Sequence, residues 1–379
     1  MKKIATITFH AAYNYGSNLQ AYALQEYVKK ISQEKQILIE YRIINFRTDF
    51  QKDFYSLFKK NNSLKNVFKN LMVLRYYKEY KIKCNKHEEF IRNKLNLTDR
   101  EYNSFEELKD ENFDFDYYIS GSDQIWNVRA QDFDWAYFLG FINEGIKLSY
   151  SASFGPLDIN FRSDIFNKCR GYLKDYRYIS TREKGSNDNI EKILGCKTDI
   201  LVDPTILLSK REWQSLIKDI PSKNYEYIFF YGLEPSKETL RLLKKLSNLI
   251  GLPIVISKYN NKYDYFNNFI KCYDTGPLEF LKLINDAKLV ISTSFHGTVF
   301  SILFEKPFYT IDGNKDNRIN NLLKMCKLDD RVINDHNYMK LCEKYLDINF
   351  SFSNNQLEKE REKSTLYLIK ALDLEKRKE

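Results

Sequence analysis

Residues 3–30 read KIATITFHAAYNYGSNLQAYALQEYVKK, and this stretch decides the fold class. Residues 3–9 alternate β-branched and apolar side chains, as a buried strand does, and a loop follows. Ser17 begins a helical pattern that runs to the end of the stretch, and residues 36–43 supply the next strand. A strand, a helix and a second strand in this order favour a parallel sheet.

The alternation of strands and helices continues in two series, which predict two Rossmann-like α/β domains with a ligand cleft between them. The N-terminal domain is expected over residues 1–205 and the C-terminal domain over residues 206–340. Residues 341–379 form a charged helical tail that could pack back on the first domain. Further strands are predicted at 117–120, 147–154, 178–181, 200–202, 225–232, 253–257, 288–293 and 307–311.

The charge of the chain favours an anionic partner, because 60 Lys and Arg residues face 51 Asp and Glu residues for a net charge of +9. The excess is uneven and falls in residues 49–96, a predicted basic helical insertion in the first domain. Two interpretations remain open for this insertion: a solvated helical face, or a surface for an anionic membrane or a phosphate-bearing lipid acceptor. Its apolar residues recur at helical spacing: Leu57, Phe58, Leu64, Phe68 and Leu71.

Several classes of protein are disfavoured by what the sequence lacks. The cysteines lie far apart without a CxxC pair, which argues against a zinc site and a disulfide framework. No signal-peptide pattern and no membrane-spanning apolar run occur, so a cytoplasmic location is expected, with peripheral attachment at the inner membrane face as an alternative. No dinucleotide, P-loop, zinc-protease or nucleic-acid motif occurs, so no nucleic-acid partner is expected. Asp114 and Asp116 have metal-binding spacing but precede a strand, and no metal site is predicted.

The loop after the first strand is a candidate anion site, because it ends at a helix N-terminus. Ser17 has capping-box spacing with a Gln three residues later, which predicts available N–H groups at Ser17 and Asn18. Gly16 permits close approach of a ligand to the backbone. His10 and Asn14 are candidate acceptor contacts, although His10 is as readily explained by ordinary packing.

A second candidate site follows the predicted strand at 117–120, where polar residues surround a glycine. Asp123 could act as a base toward a sugar hydroxyl, or it could only cap the following turn. Gln124, Trp126 and Asn127 suit the recognition of hydroxyl groups. These three residues are therefore predicted to contact an acceptor.

Two arginines at predicted element ends are candidate anion ligands. Arg182 ends the strand at 178–181 and offers a two-pronged fork for a carboxylate or phosphate, unless it forms an ion pair with a neighbouring acid. Arg318 begins a predicted helix in the second domain and is a weaker candidate for the same anion.

The sharpest candidate is His296, which follows the predicted buried strand at 288–293. Gly297 opens the next helix, so His296 is expected beside a helix N-terminus at the edge of the predicted cleft. Phe295 and Gly297 are predicted to take part in donor binding. A structural role for a single histidine is the alternative.

These segments in this order resemble the polysaccharide pyruvyl transferase family over about residues 3–331. The resemblance implies a fold similar to two-domain GT-B glycosyltransferases. It also implies transfer of a pyruvyl group from phosphoenolpyruvate to a saccharide as a ketal, with release of phosphate. The family histidine and arginine correspond to His296, with Phe295 before it, and to Arg182. The segments that carry the resemblance are 8–10, 14–21, 121–127, 151–155, 181–183, 203–205 and 294–297.

The chemistry of this reaction suits the candidate residues. Phosphoenolpyruvate carries a carboxylate and a phosphate, which call for Arg182, Arg318 and helix N-terminal N–H groups near Ser17 and Gly297. His296 is the candidate proton source for the methylene carbon, and Asp123 is a base candidate. No metal or further cofactor is required, and the saccharide acceptor is either free or lipid-linked. Two other functions remain open: a nucleotide-sugar glycosyltransferase and a non-catalytic scaffold of a polysaccharide pathway.

Overall fold

The computed structural model divides the chain into two compact units, described separately below. Unit 1 comprises Met1–Lys59, Glu88–Leu208 and Lys359–Glu379, and unit 2 comprises Lys60–His87 and Ser209–Glu358. The predictions for Leu57, Leu64 and Phe68 lie outside the described residues. The structure describes residues 1–56, 58, 63, 66–67, 70–71, 74–155, 163–232, 235–258, 269–311, 316–339 and 348–375.

Unit 1 is built on a five-stranded parallel sheet in the order β2-β1-β3-β4-β5. Ile4 of β1 pairs with Tyr41 on one side and Tyr117 on the other. The core residues of β1 are fully buried, as expected for a parallel sheet that is covered on both faces. The strands are β1 Lys2–Ile7, β2 Ile39–Ile43, β3 Tyr117–Ser120, β4 Ile146–Ser149 and β5 Tyr176–Tyr178, with a separate parallel pair β6 Ser180–Thr181 and β7 Asp199–Ile200.

The main core of unit 1 is aromatic. Trp126 stacks on Phe138 at 5.4 Å between ring centroids and contacts Phe154 at 5.3 Å. Its indole N–H donates to Ser120 Oγ at 3.0 Å, so the polar edge of a buried ring is satisfied. The helices that contribute to unit 1 are α1 Tyr15–Glu34, α2 Asp49–Tyr55, the second half of α3 Tyr77–Lys94, α4 Phe105–Lys109, α5 Ser163–Leu173 and α6 Lys184–Leu194.

Unit 2 has a six-stranded parallel sheet in the order β10-β9-β8-β11-β12-β13, the doubly wound Rossmann order. All four residues of β8 and of β11 are buried, which explains their continuous apolar sequence. The strands are β8 Ile228–Tyr231, β9 Ile254–Ile256, β10 Phe269–Lys271, β11 Leu289–Ser292, β12 Phe308–Ile311 and β13 Val332–Ile333. The helices are α7 Lys210–Leu216, α8 Lys237–Ile250, α9 Pro277–Asp286, α10 Phe295–Leu303 and α11 Asn317–Cys326.

Helix α8 shows how the sequence specifies a local element. Ser236 caps its N-terminus by accepting from Thr239 N at 3.0 Å, and Gly251 ends it with φ +76°, where a side chain would be strained. Leu240, Leu243 and Leu246 lie on one helical face and are buried. Each such leucine stabilises the packed state by about 2 kcal/mol, so a charged residue at Leu243 would detach the helix.

The last helix, α12 Ser351–Ala371, begins in unit 2 and continues into unit 1. The Tyr367 hydroxyl donates to Ser149 O at 2.7 Å, and the Tyr27 hydroxyl lies 2.6 Å from Thr365 Oγ1. These contacts attach the second half of α12 to the sheet and to α1 of unit 1.

Three expectations about secondary structure need correction. The strand predicted at 147–154 ends with β4 at Ser149, because the backbone turns at Ser151 with φ +51°. The strand predicted at 178–181 is divided between β5 and β6, which belong to different sheets. The basic insertion is not contained in one unit, since Lys60–His87 belongs to unit 2. β10 and β13 were not predicted.

Candidate functional site

The candidate residues follow strands at the two points where the strand order reverses. In unit 1 that point lies between β1 and β3, and His10 and Asp123 follow these strands. In unit 2 it lies between β8 and β11, and His296 follows β11. Open parallel sheets bind ligands at the carboxyl ends of such strands. Each unit therefore places predicted site residues at the ligand edge of its own sheet.

The first loop differs from the prediction at the helix N-terminus. Asn14, not Ser17, caps α1, because its side chain accepts from Gly16 N at 3.0 Å. Asn18 N donates to Asn14 O at 3.1 Å. The N–H groups of Gly16 and Asn18 are thus engaged within the chain, so the predicted availability of the Asn18 N–H is corrected. Donor binding at Gly16 and Ser17 stays a prediction. Asn14 has a capping role where an acceptor contact was predicted.

Asp123 has an unusual backbone and two side-chain contacts. Its φ of +80° lies in the left-handed region, which costs a residue other than glycine about 1–3 kcal/mol. Asp123 Oδ2 accepts from Ser17 Oγ at 2.8 Å, and Oδ1 accepts from Gln124 N at 2.8 Å. These two hydrogen bonds hold the carboxylate at the carboxyl edge of the sheet.

Arg182 lies among three carboxylates rather than in an open pocket. Its Nη1 donates to Asp203 Oδ2 at 2.9 Å and lies 3.8 Å from Asp123 Oδ1, while Nε lies 3.5 Å from Glu183 Oε2. Burial alone would lower the pKa of Arg182, but the charges of Asp203, Asp123 and Glu183 outweigh burial and raise it. The prediction of a guanidinium fork open to a ligand is therefore corrected. Arg182 instead forms a buried ion-pair cluster that includes Asp123.

A network of buried serines supports this cluster. Ser153 Oγ donates to Glu183 Oε1 at 2.8 Å, which fixes one of the carboxylates around Arg182. Ser122 Oγ donates to Ser151 O at 3.1 Å, and Ser151 Oγ donates to Leu201 O at 3.1 Å. These bonds join the chain segments after β3, β4 and β7, where the regular strand pairing ends.

Two predicted acceptor residues are fully buried. Trp126 belongs to the aromatic core, and His10 lies 3.3 Å from both Thr8 O and Asn45 Oδ1. Burial lowers the pKa of His10, so its ring is neutral. Because neither side chain has exposed surface, the prediction that they contact a saccharide directly is wrong.

Gln124, which is partly exposed, and Asn127, which is buried, form an amide pair. Asn127 Nδ2 donates to Gln124 Oε1 at 3.0 Å. Gly155, with φ +71°, packs against both, and a Cβ at this position would lie 2.6 Å from Gln124 Oε1. Their role in acceptor binding stays a prediction.

His296 lies in the first turn of α10 in unit 2. It is 8% exposed, and its ring packs against Phe295 at 5.3 Å in an edge contact. Ser292 Oγ at the end of β11 accepts from Ser294 N at 2.9 Å and donates to Tyr231 O at 3.0 Å, which fixes the approach to the helix. Gly297 is required here, since a Cβ would collide with Ser292 Oγ.

Arg318 has a carboxylate partner from its own helix cap. Its guanidinium donates two hydrogen bonds to Asp316, at 3.1 Å from Nε and 2.7 Å from Nη2, and lies 5.7 Å from the Phe295 ring centroid. Burial alone would raise the pKa of Asp316, but the hydrogen bonds and charge of Arg318 outweigh burial and lower it. Arg318 and Phe295, which were predicted to belong to one site, therefore lie close together. The two-pronged guanidinium of Arg318 is occupied by Asp316.

The structure brings together Ser17, Asp123 and Arg182 in unit 1, and Phe295, His296 and Arg318 in unit 2. Sequence reasoning missed Asp203 and Glu183 as partners of Arg182, although both lie in the quoted segments 203–205 and 181–183. Asp114 and Asp116 lie before β3, away from the carboxyl ends of the strands. Among the described residues, no helix has the length and apolar character needed to cross a membrane.

Comparison with known families decides the classification. The family model described as polysaccharide pyruvyl transferase matches residues 14–315. The chain belongs to the polysaccharide pyruvyl transferase family. This confirms the resemblance drawn from the ordered segments, and it identifies the chain as a transferase family member that acts on a polysaccharide. No curated protein matches this polysaccharide pyruvyl transferase family member.

Solved structures with similar folds include UDP-N-acetylglucosamine 2-epimerases. A UDP-N-acetylglucosamine 2-epimerase has a TM-score of 0.57 at 9% identity, over 97% of this chain and 94% of that chain. The epimerase from Rickettsia bellii has a TM-score of 0.52 at 10% identity, over 99% and 96%. The epimerase from Methanocaldococcus jannaschii has a TM-score of 0.52 at 12% identity, over 93% and 94%. At these identities the likeness concerns the fold alone, and it confirms that this polysaccharide pyruvyl transferase family member has Rossmann-like α/β domains of the GT-B class.

Proposed function

We propose that this protein transfers the pyruvyl group of phosphoenolpyruvate to two hydroxyls of a saccharide, forming a ketal in cell-surface polysaccharide synthesis. The family match over residues 14–315 carries the proposal. In the balanced reaction the methylene carbon gains a proton, both hydroxyl oxygens bond to the central carbon, and the bond from that carbon to the phosphate oxygen breaks. One hydroxyl proton replaces the proton delivered to carbon, and the other leaves with phosphate.

His296 is the proposed proton donor to the methylene carbon. Its place in the first turn of α10, at the end of a strand beside the order reversal, supports this role. A histidine beside the donor would deliver this proton by general acid catalysis.

Asp123 is the proposed base for a saccharide hydroxyl. Its strained backbone and its contacts with Ser17 and Arg182 support a carboxylate that is held in one orientation. Arg182 then acts as a positioning residue, because its guanidinium is engaged by Asp203 and its neighbours. A base fixed in this way needs little reorganisation in the transition state.

The donor's anionic groups are assigned to unit 2. Arg318 would exchange Asp316 for the donor carboxylate, which its half-buried position allows, since the two side chains are 22% and 29% exposed. The N–H groups of the first turn of α10, including that of Gly297, suit the phosphate. Phe295 packs against both His296 and Arg318 and would orient them.

An anionic membrane that carries a lipid-linked acceptor is the proposed partner of the basic segment 49–96, whose residues are divided between the two units. This segment has 12 Lys and Arg residues against 5 Asp and Glu residues, most of the net charge of +9. It also carries exposed apolar side chains: residues 50–82 hold 7 of the 14 large apolar residues exposed in the described part of the chain. Basic residues mixed with exposed aromatic and aliphatic ones are typical of interfacial membrane binding. Attachment at the inner membrane face in the cytoplasm follows from this proposal.

The test is phosphate release from phosphoenolpyruvate in the presence of a panel of methyl glycosides, with mass spectrometry of the product. We expect release that depends on the glycoside and a mass gain that corresponds to a pyruvyl ketal. Binding of a uridine or guanosine nucleotide sugar, with no response to phosphoenolpyruvate, would instead identify a glycosyltransferase. Cellular polysaccharide that is unchanged by His296→Gln would identify a scaffold.

A further inference from the structure

Unit 1 contains a pocket of about 480 Å³ that the proposed proton donor, base and donor-binding residues do not line. It lies at the carboxyl ends of β1 and β2 and is bordered by the C-terminal half of α3 and by residues of the loop that follows α3. A volume of this size is within the range of pockets that bind small organic ligands. Its polar wall includes Asn45, Arg47, Glu88, Arg92, Asp99 and Glu101.

The charges of the pocket are balanced rather than cationic. Three arginines line it (Arg42, Arg47 and Arg92), together with three carboxylates: Glu88, Asp99 and Glu101. An anion site needs excess positive charge, whereas a saccharide hydroxyl both donates and accepts hydrogen bonds. A wall with both kinds of partner therefore suits a polyhydroxylated ligand better than a phosphate.

One group in the wall is held rigidly. Arg47 Nη1 donates to Glu88 Oε1 at 2.8 Å and Nη2 donates to the Tyr13 hydroxyl at 3.3 Å, while that hydroxyl donates to Glu88. The Arg47 side chain is 15% exposed and that of Glu88 is 45% exposed. The arginine thus anchors a carboxylate that remains open to the pocket, a pre-organised hydroxyl acceptor.

The pocket is connected by hydrogen bonds to the Asp123 cluster. Asn45 in its wall lies 3.3 Å from His10 Nε2, and His10 Nδ1 lies 3.3 Å from Thr8 O. Thr8 Oγ1 donates to Ser122 O at 2.9 Å, directly before Asp123. His10, which is buried and unable to touch a ligand, links the two places. The pocket and the candidate base are therefore fixed to each other within one unit.

We propose that this pocket binds a pyranose of the acceptor, with Glu88 accepting from a ring hydroxyl and Arg47 holding it in place. The inference rests on the proposed pyruvyl transfer and names the part of the chain that reads the acceptor. The saccharide class follows from the balanced donors and acceptors, the volume and the connection to Asp123.

The experiment compares two Arg–Glu pairs of unit 1 by saturation-transfer NMR on the full chain. Glu88→Gln and Arg47→Lys change the pocket. Glu111→Gln and Arg100→Lys are matched controls, because Arg100 Nη1 donates to Glu111 Oε2 at 3.2 Å outside the pocket. The probes are the methyl glycosides of glucose, galactose and mannose, and calorimetry measures phosphoenolpyruvate binding by the same proteins.

We expect at least one glycoside to bind the wild type, and its affinity to fall about tenfold or more in Glu88→Gln and Arg47→Lys through the loss of charge-assisted hydrogen bonds. The controls and all phosphoenolpyruvate affinities should match the wild type. No glycoside signal with the wild type, or equal losses in pocket and control variants, overturns the assignment. Loss of phosphoenolpyruvate binding in the pocket variants also overturns it and makes this an anion site. Failure of pyruvyl transfer itself would appear separately, as absent phosphate release with any glycoside.

Discussion

Removing Arg182 should destabilise unit 1 more than removing its closest carboxylate. The side chains of Arg182 and Asp203 are 3% and 0% exposed and 2.9 Å apart. Breaking a buried ion pair by deleting one member costs about 3–5 kcal/mol, because the remaining charge is left without compensation. Arg182→Ala leaves three carboxylates together and should reach or exceed this range. Asp203→Asn leaves Arg182 with Asp123 and Glu183, so about 1–3 kcal/mol is expected.

Urea unfolding followed by tryptophan fluorescence measures these free energies. Trp213 belongs to unit 2, so a Trp213→Phe background leaves Trp126 and Trp135 to report on unit 1. Arg100→Ala serves as the control for an exposed pair, since the Arg100 and Glu111 side chains are 57% and 30% exposed, and should cost at most about 1 kcal/mol. The ion-pair reasoning would be refuted if Arg182→Ala lost no more stability than the control Arg100→Ala, or less stability than Asp203→Asn.

The remaining predictions concern catalysis, pH and membrane binding. His296→Gln should lower kcat about 10²- to 10⁴-fold in the phosphate-release assay with little change in melting temperature, and an unchanged rate would remove it from the mechanism. Burial lowers the pKa of His10 in the folded state, so below about pH 6.5 the unfolded state binds a proton that the folded state does not. The contribution of neutral His10 to the free energy of unfolding is therefore fully present above about pH 6.5 and declines below it. Urea titrations from pH 5 to 8 should show the free energy of unfolding falling toward low pH, by at most about 1.4 kcal/mol per pH unit for one group. This slope should be smaller in His10→Gln, and an identical slope in that variant would contradict the prediction. Phe54→Ser should weaken co-sedimentation with vesicles that contain phosphatidylglycerol about tenfold. Leu249→Ser is the control, because Leu249 is at least as exposed as Phe54 but lies outside the segment, and it should leave binding unchanged. Binding that does not depend on the anionic lipid would refute the membrane proposal.

The sequence predicted those strands whose apolar residues form a recognisable run within a few consecutive positions. β3 and β11 are short buried runs of mainly apolar residues next to turn residues, so the placement of Asp123 after β3 and of His296 after β11 followed directly. β10 and β13 have three and two residues beside charged or polar ones, and they lack the continuous apolar sequence by which the equally short β9 was identified.

The sequence could not predict which side chains form hydrogen bonds or ion pairs when the two residues are far apart along the chain. Asn14 and Ser17 are both good capping residues, and only the path of the loop decides that Asn14 caps α1. Arg182 and Asp203 are 21 residues apart, and Arg47 and Glu88 are 41 apart, so neither pair has a local signature. The open fork predicted at Arg182 was wrong for this reason, since its partner comes from a different segment of the chain.

The division of α12 between the units has a consequence for biosynthesis. A ribosome delivers the strands of the first sheet early, yet Thr365 and Tyr367, which contact α1 and β4, are translated after nearly the whole of the second unit. Unit 2 can thus complete its sheet while the surface of unit 1 that receives α12 is still bare. Domains usually fold in the order of their synthesis. Here unit 1 is the first to be synthesised and the last to be completed. Its Tyr27 and Tyr150 are covered only when the end of α12 has been translated.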